Sequence, residues 1–455
     1  MTEPRPRELI LATLTTDAAG LADAAFDWLT ANADDPRAWD LVSQLELQTF
    51  LWYSLPMKWM TENREHHEVA WALGDFFRAA GKPRFAEICR AQHTHLLIDL
   101  WDADSPRARA EYNRLLDQSG VHPPDTRSLT WGSLMGLTEA FAFSIVSDAL
   151  EDAIDAGTLT PGGRGWRRRA VAVAEAALAR PYREDPEFSL AGAVRRERRE
   201  QWVNHVRGRG LDLPQAVADA VTTPSAEDLA DGTGTAGDGV LEAVVASLEP
   251  LVWLLREIGD GVTLTQAGNL PRALVLAADE RYDWFDLKPK FRVRTMWDLF
   301  ELGELHELVT AKRWVTKRGR KLSLSAKGRT LLADPQALTG AVLGHVFDQS
   351  DWYGDGALAA AVVLLGSDTP VTTDELYARL LPYLGSHWAT EAGPVRNRNQ
   401  LAGVTRRLDS LGSAFGWLAP LPPRSFLLHR PLTEVGRVAC LSGLRHVASS
   451  PWLRM

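Results

Sequence analysis

Residues 312–335 concentrate positive charge in a chain whose formal net charge is −9. The segment reads KRWVTKRGRKLSLSAKGRTLLADP. Ammonium and guanidinium groups at this density can contact successive phosphates of a nucleic acid, which releases counterions without reading the base sequence. They would also be ordinary on the solvated surface of a domain that binds no nucleic acid. The candidate side chains in this segment are those of Lys312, Arg313, Lys317, Arg318, Arg320 and Lys321.

A second group of candidates lies in the segment VRNRNQLAGVTRRLDSLG, which we predict to be helical. Arginine, asparagine and glutamine make two-point contacts with guanine and adenine in the major groove. Recognition helices touch bases mainly with their N-terminal residues, so we expect this segment to read DNA sequence. The candidates are Arg396, Arg398, Asn399 and Gln400 at the start of the predicted helix, with Arg406 and Arg407 on its basic face.

The segment that precedes the basic stretch, RVRTMWDLFELGELHELV, is predicted to be a helix of the opposite charge. It carries Asp298, Glu301, Glu304 and Glu307. In a major groove these carboxylates would be repelled by phosphates. We therefore do not expect this helix to enter DNA in the usual way. The hairpin that follows it contacts nucleic acid, or the whole module binds a protein.

Metal and enzyme chemistry has weaker support in the sequence. The pairs His66-His67 and His93-x-His95 could supply metal ligands if their helices pack together, but no His-Glu-x-x-His spacing accompanies them. Surface histidines are the more common case. No phosphate-binding lysine loop, dinucleotide fingerprint or nucleophile elbow is present. The sequence therefore predicts no enzyme, no cofactor and no metal.

The segment FDQSDWYGDG brings three carboxylates together before a predicted helix. Asp348, Asp351 and Asp355 lack the ligand spacing of a calcium-binding loop. We expect them to form a turn and to cap the helix.

Charge, cysteine content and hydropathy restrict the class of protein further. There are 50 Lys and Arg residues against 59 Asp and Glu, and the basic patches lie in the C-terminal half. Two cysteines make a disulfide framework improbable. No apolar run is long enough to span a bilayer, and the N-terminus lacks the pattern of a signal peptide. We expect a cytoplasmic protein without membrane contact.

Apolar spacing predicts a mainly α fold. Residues 1–220 show helical periodicity throughout and predict an acidic α-helical bundle or helical-repeat domain. Residues 221–239 are rich in Gly, Thr and Asp and predict a flexible linker. Residues 240–345 and 346–455 each combine helices with a short β-hairpin and predict two winged-helix-like modules. The second hairpin is expected to turn at Pro422, Pro423 and Arg424.

One short pattern, Leu-Ser/Thr-x-x-Gly-Arg/Asn, occurs three times in the C-terminal half. It covers residues 264–269, 324–329 and 432–437. We expect a strand to end at the leucine and the hydroxyl side chain to cap the next helix. The glycine would let the first turn of that helix lie close to a neighbouring backbone.

The blocks GDGVTLTQAGNLPRALV and LSAKGRTLLADP resemble sequences in largely uncharacterised actinobacterial proteins of the plasmid-ORF type. The resemblance covers roughly residues 251–338. It implies a winged-helix-like module and no established reaction.

Together these patterns predict a non-enzymatic protein that binds double-stranded DNA through its C-terminal modules. It would act as a regulator or as a subunit of a DNA-transaction or defence complex. The alternative is a scaffold or adaptor whose acidic helical domain binds a protein partner and which makes no contact with nucleic acid.

Overall fold

The structure is a computed structural model in which the chain forms two compact units. Among the described residues, the N-terminal unit comprises those up to residue 184 with residues 189–191, and the C-terminal unit comprises residues 185–188 and those from 192 onward. The fold is mainly helical with small antiparallel sheets, as the sequence predicts. The structure describes residues 5–30, 35, 37–59, 62–230, 238–282, 284, 292–367, 369–390, 393–420 and 429–451.

The N-terminal unit is built from helices whose apolar residues recur at i, i+4 and i+7, as Val69, Leu73 and Phe76 do. Phe76 and Phe26 lie in its core, with ring centroids 4.4 Å apart. A π-helical turn, Phe50–Ser54, connects the third and fourth helices. The helices are α1 (Arg7–Leu11), α2 (Thr16–Leu29), α3 (Gln44–Thr49), α4 (Leu55–Lys58), α5 (Asn63–Ala79), α6 (Pro83–Arg90), α7 (Gln92–Ala103), α8 (Ser105–Ser119), α9 (Leu137–Asp155) and α10 (Trp166–Leu178).

The chain then continues through two short strands, β1 (Pro181–Tyr182) and β2 (Asp185–Ser189). The elements that follow are α11 (Leu190–Gly208), α12 (Gln215–Thr222), α13 (Asp238–Ser247), α14 (Glu249–Ile258), β3 (Val262–Thr263), α15 (Arg272–Tyr282), α16 (Phe300–Ala311), β4 (Val315–Arg318), β5 (Lys321–Leu324), α17 (Ala326–Ala333), α18 (Pro335–Val346), α19 (Trp352–Leu365), α20 (Thr373–Gly385), β6 (Ala389–Thr390), β7 (Gly393–Pro394), α21 (Arg406–Ala414) and α22 (Glu434–Ser449).

Strands β3, β5 and β4 form a three-stranded antiparallel sheet in that spatial order. A similar arrangement of backbone contacts recurs after α19. There the amide of His429 donates to the carbonyl of Val371 (2.8 Å), and Leu418 and Leu432 form an antiparallel bridge. Residues 429–432 therefore pair with residue 371, which precedes α20, and with residue 418, which follows α21. Strand β5 pairs in the same way with β3 and β4. The predicted turn at Pro422, Pro423 and Arg424 lies outside the described residues.

The repeated Leu-Ser/Thr-x-x-Gly pattern has the expected geometry at residues 324–329. Ser325 caps α17, because its Oγ accepts the amide of Gly328 at 3.0 Å. The amide of Ser325 donates to the carbonyl of Trp314 at 3.0 Å. A Cβ atom at Gly328 would lie 2.1 Å from that carbonyl oxygen, so the close approach requires glycine.

Residues 432–437 repeat this geometry, with Thr433 capping α22 and Gly436 against the carbonyl of Trp417. The pattern at residues 264–269 differs, and the expectation of a helix cap there is wrong. Thr265 Oγ1 accepts the amide of Asn269 (3.0 Å), and Gly268 has φ 83°. The hydroxyl closes a turn there because the left-handed glycine prevents a helix from starting.

The division between the two compact units falls near residue 190, whereas the sequence predicts a domain end near residue 220. The reason is that α11 contributes Trp202 and Val206 to the core of the C-terminal unit. That same core contains buried residues of both predicted modules, such as Leu305 and Leu408, so the two modules are parts of one packed unit.

The first part of the predicted linker is folded. Asp228 is fully buried and accepts hydrogen bonds from Arg195 and Arg199 at 2.7 Å each. A buried carboxylate requires such partners, and the Gly- and Thr-rich composition does not reveal them. The remaining linker positions 231–237 lie outside the described residues. Among the helices that the structure describes, none is long and apolar enough to cross a membrane.

Candidate nucleic-acid interface

The basic segment forms a β-hairpin. In β4 and β5, Arg318 lies opposite Lys321, and Lys317 lies opposite Leu322. Gly319 has φ 59° and occupies the first central position of the two-residue turn, where a type II′ turn requires a positive φ. Because this turn follows directly from the sequence Arg-Gly-Arg-Lys, the cations come together at the tip of the hairpin.

All four cations at this tip are exposed, among them Lys317, Arg318 and Lys321. Within the described part of the chain, these three side chains make no ion pair. Arg320 is different, because its Nε donates to the carbonyl of Leu264 at 2.9 Å. It anchors the tip to the segment that follows β3, so the three free cations project from a fixed hairpin.

Contacts along the hairpin hold two of these side chains near the backbone. A Cβ atom at Gly261 would lie 2.0 Å from Lys321 Cε, so the aliphatic part of that lysine covers this glycine. The Nζ of Lys317 would lie 3.6 Å from a Cβ at Gly268. Burial and the nearby Lys317 lower the pKa of His306.

The other two candidates of this segment, Lys312 and Arg313, lie at the base of the hairpin. Lys312 Nζ is 3.7 Å from Asp348 Oδ2. Arg313 is exposed and has φ 56°, and its carbonyl accepts the hydroxyl of Ser325 at 2.9 Å. The positive φ turns the chain from α16 into β4. These two residues therefore stabilise the base of the hairpin. Arg313 also adds one exposed cation there.

The predicted recognition helix does not begin at Arg396. Residues 398–401 form a single 3-10 turn, closed by a capping box between Asn397 and Gln400. Gln400 Oε1 accepts the amides of Arg396 and Asn397 at 2.8 and 3.1 Å, so this oxygen is already bonded. Gly403 then takes φ 77°, and α21 begins at Arg406. The predicted start of the helix at Arg396 was wrong, because the side-chain hydrogen bonds of the capping box favour a short 3-10 turn over a continuous α-helix here.

Arg398 and Asn399 are exposed in this turn, and Arg396 is exposed just before it. Helix α21 starts several residues later. The six candidates of this second group are therefore divided by the structure, because Arg406 and Arg407 point to other partners.

Arg406 is paired inside the C-terminal unit. Its guanidinium donates to Glu304 Oε1 from Nε (3.1 Å) and from Nη2 (2.5 Å), and Glu307 Oε2 lies 3.9 Å away. Its Cζ atom lies 5.7 Å from the ring centroid of Phe300. The hydrogen bond to Glu304 raises the pKa of Arg406. Such a geometry combines a charge-assisted hydrogen bond with a cation–π contact.

Arg407 is also paired. It donates to the carbonyl of His345 (3.1 Å) and lies 3.0 Å from Asp351 Oδ2. The two arginines that the sequence assigned to a basic DNA-binding face thus have internal partners.

Helices α16 and α21 pack against each other, and this contact accounts for the acidic face of α16. Besides the Glu304–Arg406 pair, Ser413 on α21 donates to Glu301 on α16 at 2.8 Å, and Arg430 donates to Ser413 at 2.8 Å. The sequence shows an acidic helix in one module and a basic helix in the other. It does not show that the two charges neutralise each other. Opposite charge on corresponding helices is the signal that could have revealed the contact.

The histidines of the N-terminal unit are brought together in part. Nδ1 of His67 lies 2.8 Å from Nδ1 of His95, and Nε2 of His67 lies 2.8 Å from Asp99 Oδ1. Burial, followed by the charge of His67, lowers the pKa of His95. His66 instead contacts the carbonyl of Trp59 at 3.1 Å. In the described ranges, no group of three or more His, Cys, Asp and Glu side chains is arranged to hold a metal ion.

The three aspartates have separate roles, and only Asp348 and Asp351 precede α19, because Asp355 lies in its first turn. Asp351 caps the helix by accepting the amides of Tyr353 and Gly354, as expected. Asp348 accepts the amide and hydroxyl of Ser350 and so closes a turn.

Asp355 is buried and bonded to three side chains. It accepts hydrogen bonds from Tyr383 Oη and Trp388 Nε1, each at 2.7 Å, and lies 2.5 Å from His387 Nε2. This buried network links α19 to α20 and the segment after it. This network is not visible in the sequence, because the partners lie about 30 residues away in the chain.

No match to this chain was found among protein-family models, curated proteins or solved structures. The assignment of a function therefore depends on the geometry of the site itself.

Proposed function

We propose that this chain is a non-enzymatic protein that binds the phosphate backbone of double-stranded DNA through the β4–β5 hairpin. The observation that carries the proposal is the contrast between two groups of cations. Lys317, Arg318 and Lys321 are exposed on an anchored hairpin and make no ion pair with the residues that the structure describes. Arg406 and Arg407, in contrast, are bound to internal carboxylates.

We further propose that each block of the C-terminal unit is a winged helix. The element order α14-β3-α15-α16-β4-β5 and the spatial strand order β3-β5-β4 support this for the first block. The contacts of residues 371, 418, 429 and 432 support it for the second block. In such a module the helix before the hairpin usually enters the major groove. Here those two helices, α16 and α21, pack on each other, which leaves the hairpin for DNA.

Binding of this kind depends on charge and carries no base specificity. We therefore expect the full chain to bind duplexes of different sequence with similar affinity and with a steep dependence on salt. The test is the triple variant K317Q/R318Q/K321Q, which keeps aliphatic stems at the two lysines. Affinity is measured by fluorescence anisotropy with A·T-rich and G·C-rich duplexes of about 30 base pairs at several salt concentrations. The slope of log affinity against log salt concentration should be shallower by about 2.7 in the variant than in the wild type, because each lost phosphate contact removes about 0.9.

A matched control is the variant R167Q/R168Q/R169Q, which removes three exposed arginines from α10 in the N-terminal unit. Its DNA affinity should equal that of the wild type. Arg320 stays unchanged in both variants, because it anchors the hairpin to Leu264. Equal losses from both variants would mean that only net charge matters. If even the wild type fails to bind DNA at low salt, the adaptor alternative replaces this proposal.

A further inference from the structure

Helix α9 presents a continuous exposed face whose two ends differ in character. The exposed positions follow the spacing of one helix face, and the first of them, Leu137, is 89% exposed. The N-terminal part of the face is apolar and the C-terminal part is acidic. Its exposed residues are Leu137, Ala140, Phe141, Ser144, Asp148, Asp152 and Asp155.

The apolar end is extended by the loop that leads into α9. Leu134 and Met135 are 63% and 37% exposed, and Phe141 is 44% exposed. Single exposed apolar residues are normal, whereas here four lie within eight positions of the chain. A group of exposed apolar side chains of this kind often marks a site of protein interaction.

This loop is held in place by buried hydrogen bonds. The carboxylate of Glu139, which is 1% exposed, accepts the amide of Gly132 at 2.8 Å. The indole of Trp131 donates to the carbonyl of Pro124 at 3.1 Å and packs edge-on against Phe143. The apolar side chains are therefore presented on an ordered backbone, which lowers the entropy cost of binding a partner.

The acidic end of the face borders a cleft of about 570 Å³. Both basic side chains that line this cleft already have acidic partners. Lys82 lies 2.8 Å from Asp40, and Arg84 pairs with Glu151 and Asp155.

The carboxylates of Asp148 and Asp152 have no basic partner in the described ranges. Burial, Glu46 and Asp152 together raise the pKa of Asp148. Helix α9 also has no basic residue in its last turn, so the negative end of its dipole adds to the same potential. This end of the face therefore favours contact with a positively charged group.

We propose that this face of α9 docks a cationic amphipathic helix of a partner protein, with apolar residues at one end and Lys or Arg at the other. Charge complementarity selects this class of partner. Nucleic acids and anionic membranes would be repelled by the carboxylates. A face of 19 residues is about 28 Å long at 1.5 Å per residue, which suits a partner helix of similar length.

The test uses the full chain and two synthetic peptides of equal composition and length. In one peptide, Leu and Phe occupy one half of a helix face and Lys the other half; in the second, the same residues are interspersed. We expect the first peptide to bind more tightly by about tenfold, equivalent to about 1.4 kcal/mol. Leu137→Ser and the double variant D148N/D152N should each lower the affinity for the first peptide by about the same factor.

The control variant E8Q/D17N removes two exposed carboxylates from the same unit, away from α9. It should bind the first peptide as the wild type does. Equal binding of both peptides, or equal losses from the control, would overturn the proposal in favour of unspecific charge attraction. Concentration-dependent dimerisation of the free chain that Leu137→Ser abolishes would overturn it too, because the face would then bind a second copy. None of these results depends on DNA binding.

Discussion

Replacing Arg406 by Gln should destabilise the C-terminal unit while leaving DNA affinity almost unchanged. The side chain of Glu304 is only 11% exposed and receives two hydrogen bonds from Arg406. Without the guanidinium, this carboxylate remains largely buried and loses its closest cation. A charged acceptor left in that state costs about 1–3 kcal/mol. We take about 2 kcal/mol, since the arginine side of the pair is 46% exposed.

A double-mutant cycle isolates this contact. The variant E304Q/R406Q exchanges the ion pair for two amides that can bond to each other, so it should lose less stability than the sum of E304Q and R406Q. We expect a coupling energy of about 1–2 kcal/mol from urea unfolding, within the range for contacting residues. Arg396→Gln is the control, because this exposed arginine has no ion pair in the described ranges and should change stability by less than about 0.5 kcal/mol.

The DNA-binding measurement decides whether α21 has a structural role only. If α21 packs on α16 in solution, R406Q and the wild type should bind A·T-rich and G·C-rich duplexes with the same ratio of affinities. A wild type that discriminates between the two duplexes, together with a folded R406Q protein that does not, would refute the reasoning. It would mean that the two helices separate and that α21 contacts bases.

Two further predictions concern the second block of the C-terminal unit. Gly436→Ala should cost about 3 kcal/mol in urea unfolding, because the new Cβ would lie 1.9 Å from the carbonyl oxygen of Trp417, whereas Gly208→Ala should cost less than about 0.5 kcal/mol, since nothing lies within 4 Å of that Cβ. Burial alone would lower the pKa of His429, but the Asp409 carboxylate, 2.9 Å away, outweighs it and raises the pKa. The stabilisation by this pair should be complete below the unfolded-state pKa of about 6.5 and fade as the pH rises through the higher folded pKa; a wild-type protein and a His429→Gln variant with parallel stability curves between about pH 6 and 8 would contradict it.

The local features of the fold were predictable from the sequence. The basic hairpin around Gly319 and the helix caps at Ser325 and Thr433 depend on residues within a few positions of one another. Turn and capping preferences depend on residues a few positions apart, so a short sequence pattern is enough to predict them. The same logic failed at Thr265, where the glycine three positions later takes a left-handed conformation and the hydroxyl closes a turn.

The domain division was less predictable, because composition is a weak guide to burial. The segment after residue 221 looks like a linker, yet Asp228 is fully buried between Arg195 and Arg199. Those arginines lie about 30 residues earlier in the chain, on α11.

By itself, the sequence determined which residues carry charge, the mainly helical character of the chain, the hairpin around Gly319 and the helix caps at Ser325 and Thr433. These are properties of neighbours in the chain. Only the tertiary structure decided which cations remain free, because that depends on the approach of distant elements. Glu304 and Arg406 are separated by 102 positions, and their pairing follows from the packing of α16 on α21 in one shared core. The electrostatic energy of a pair falls with the distance between its charges, and no local pattern encodes that distance.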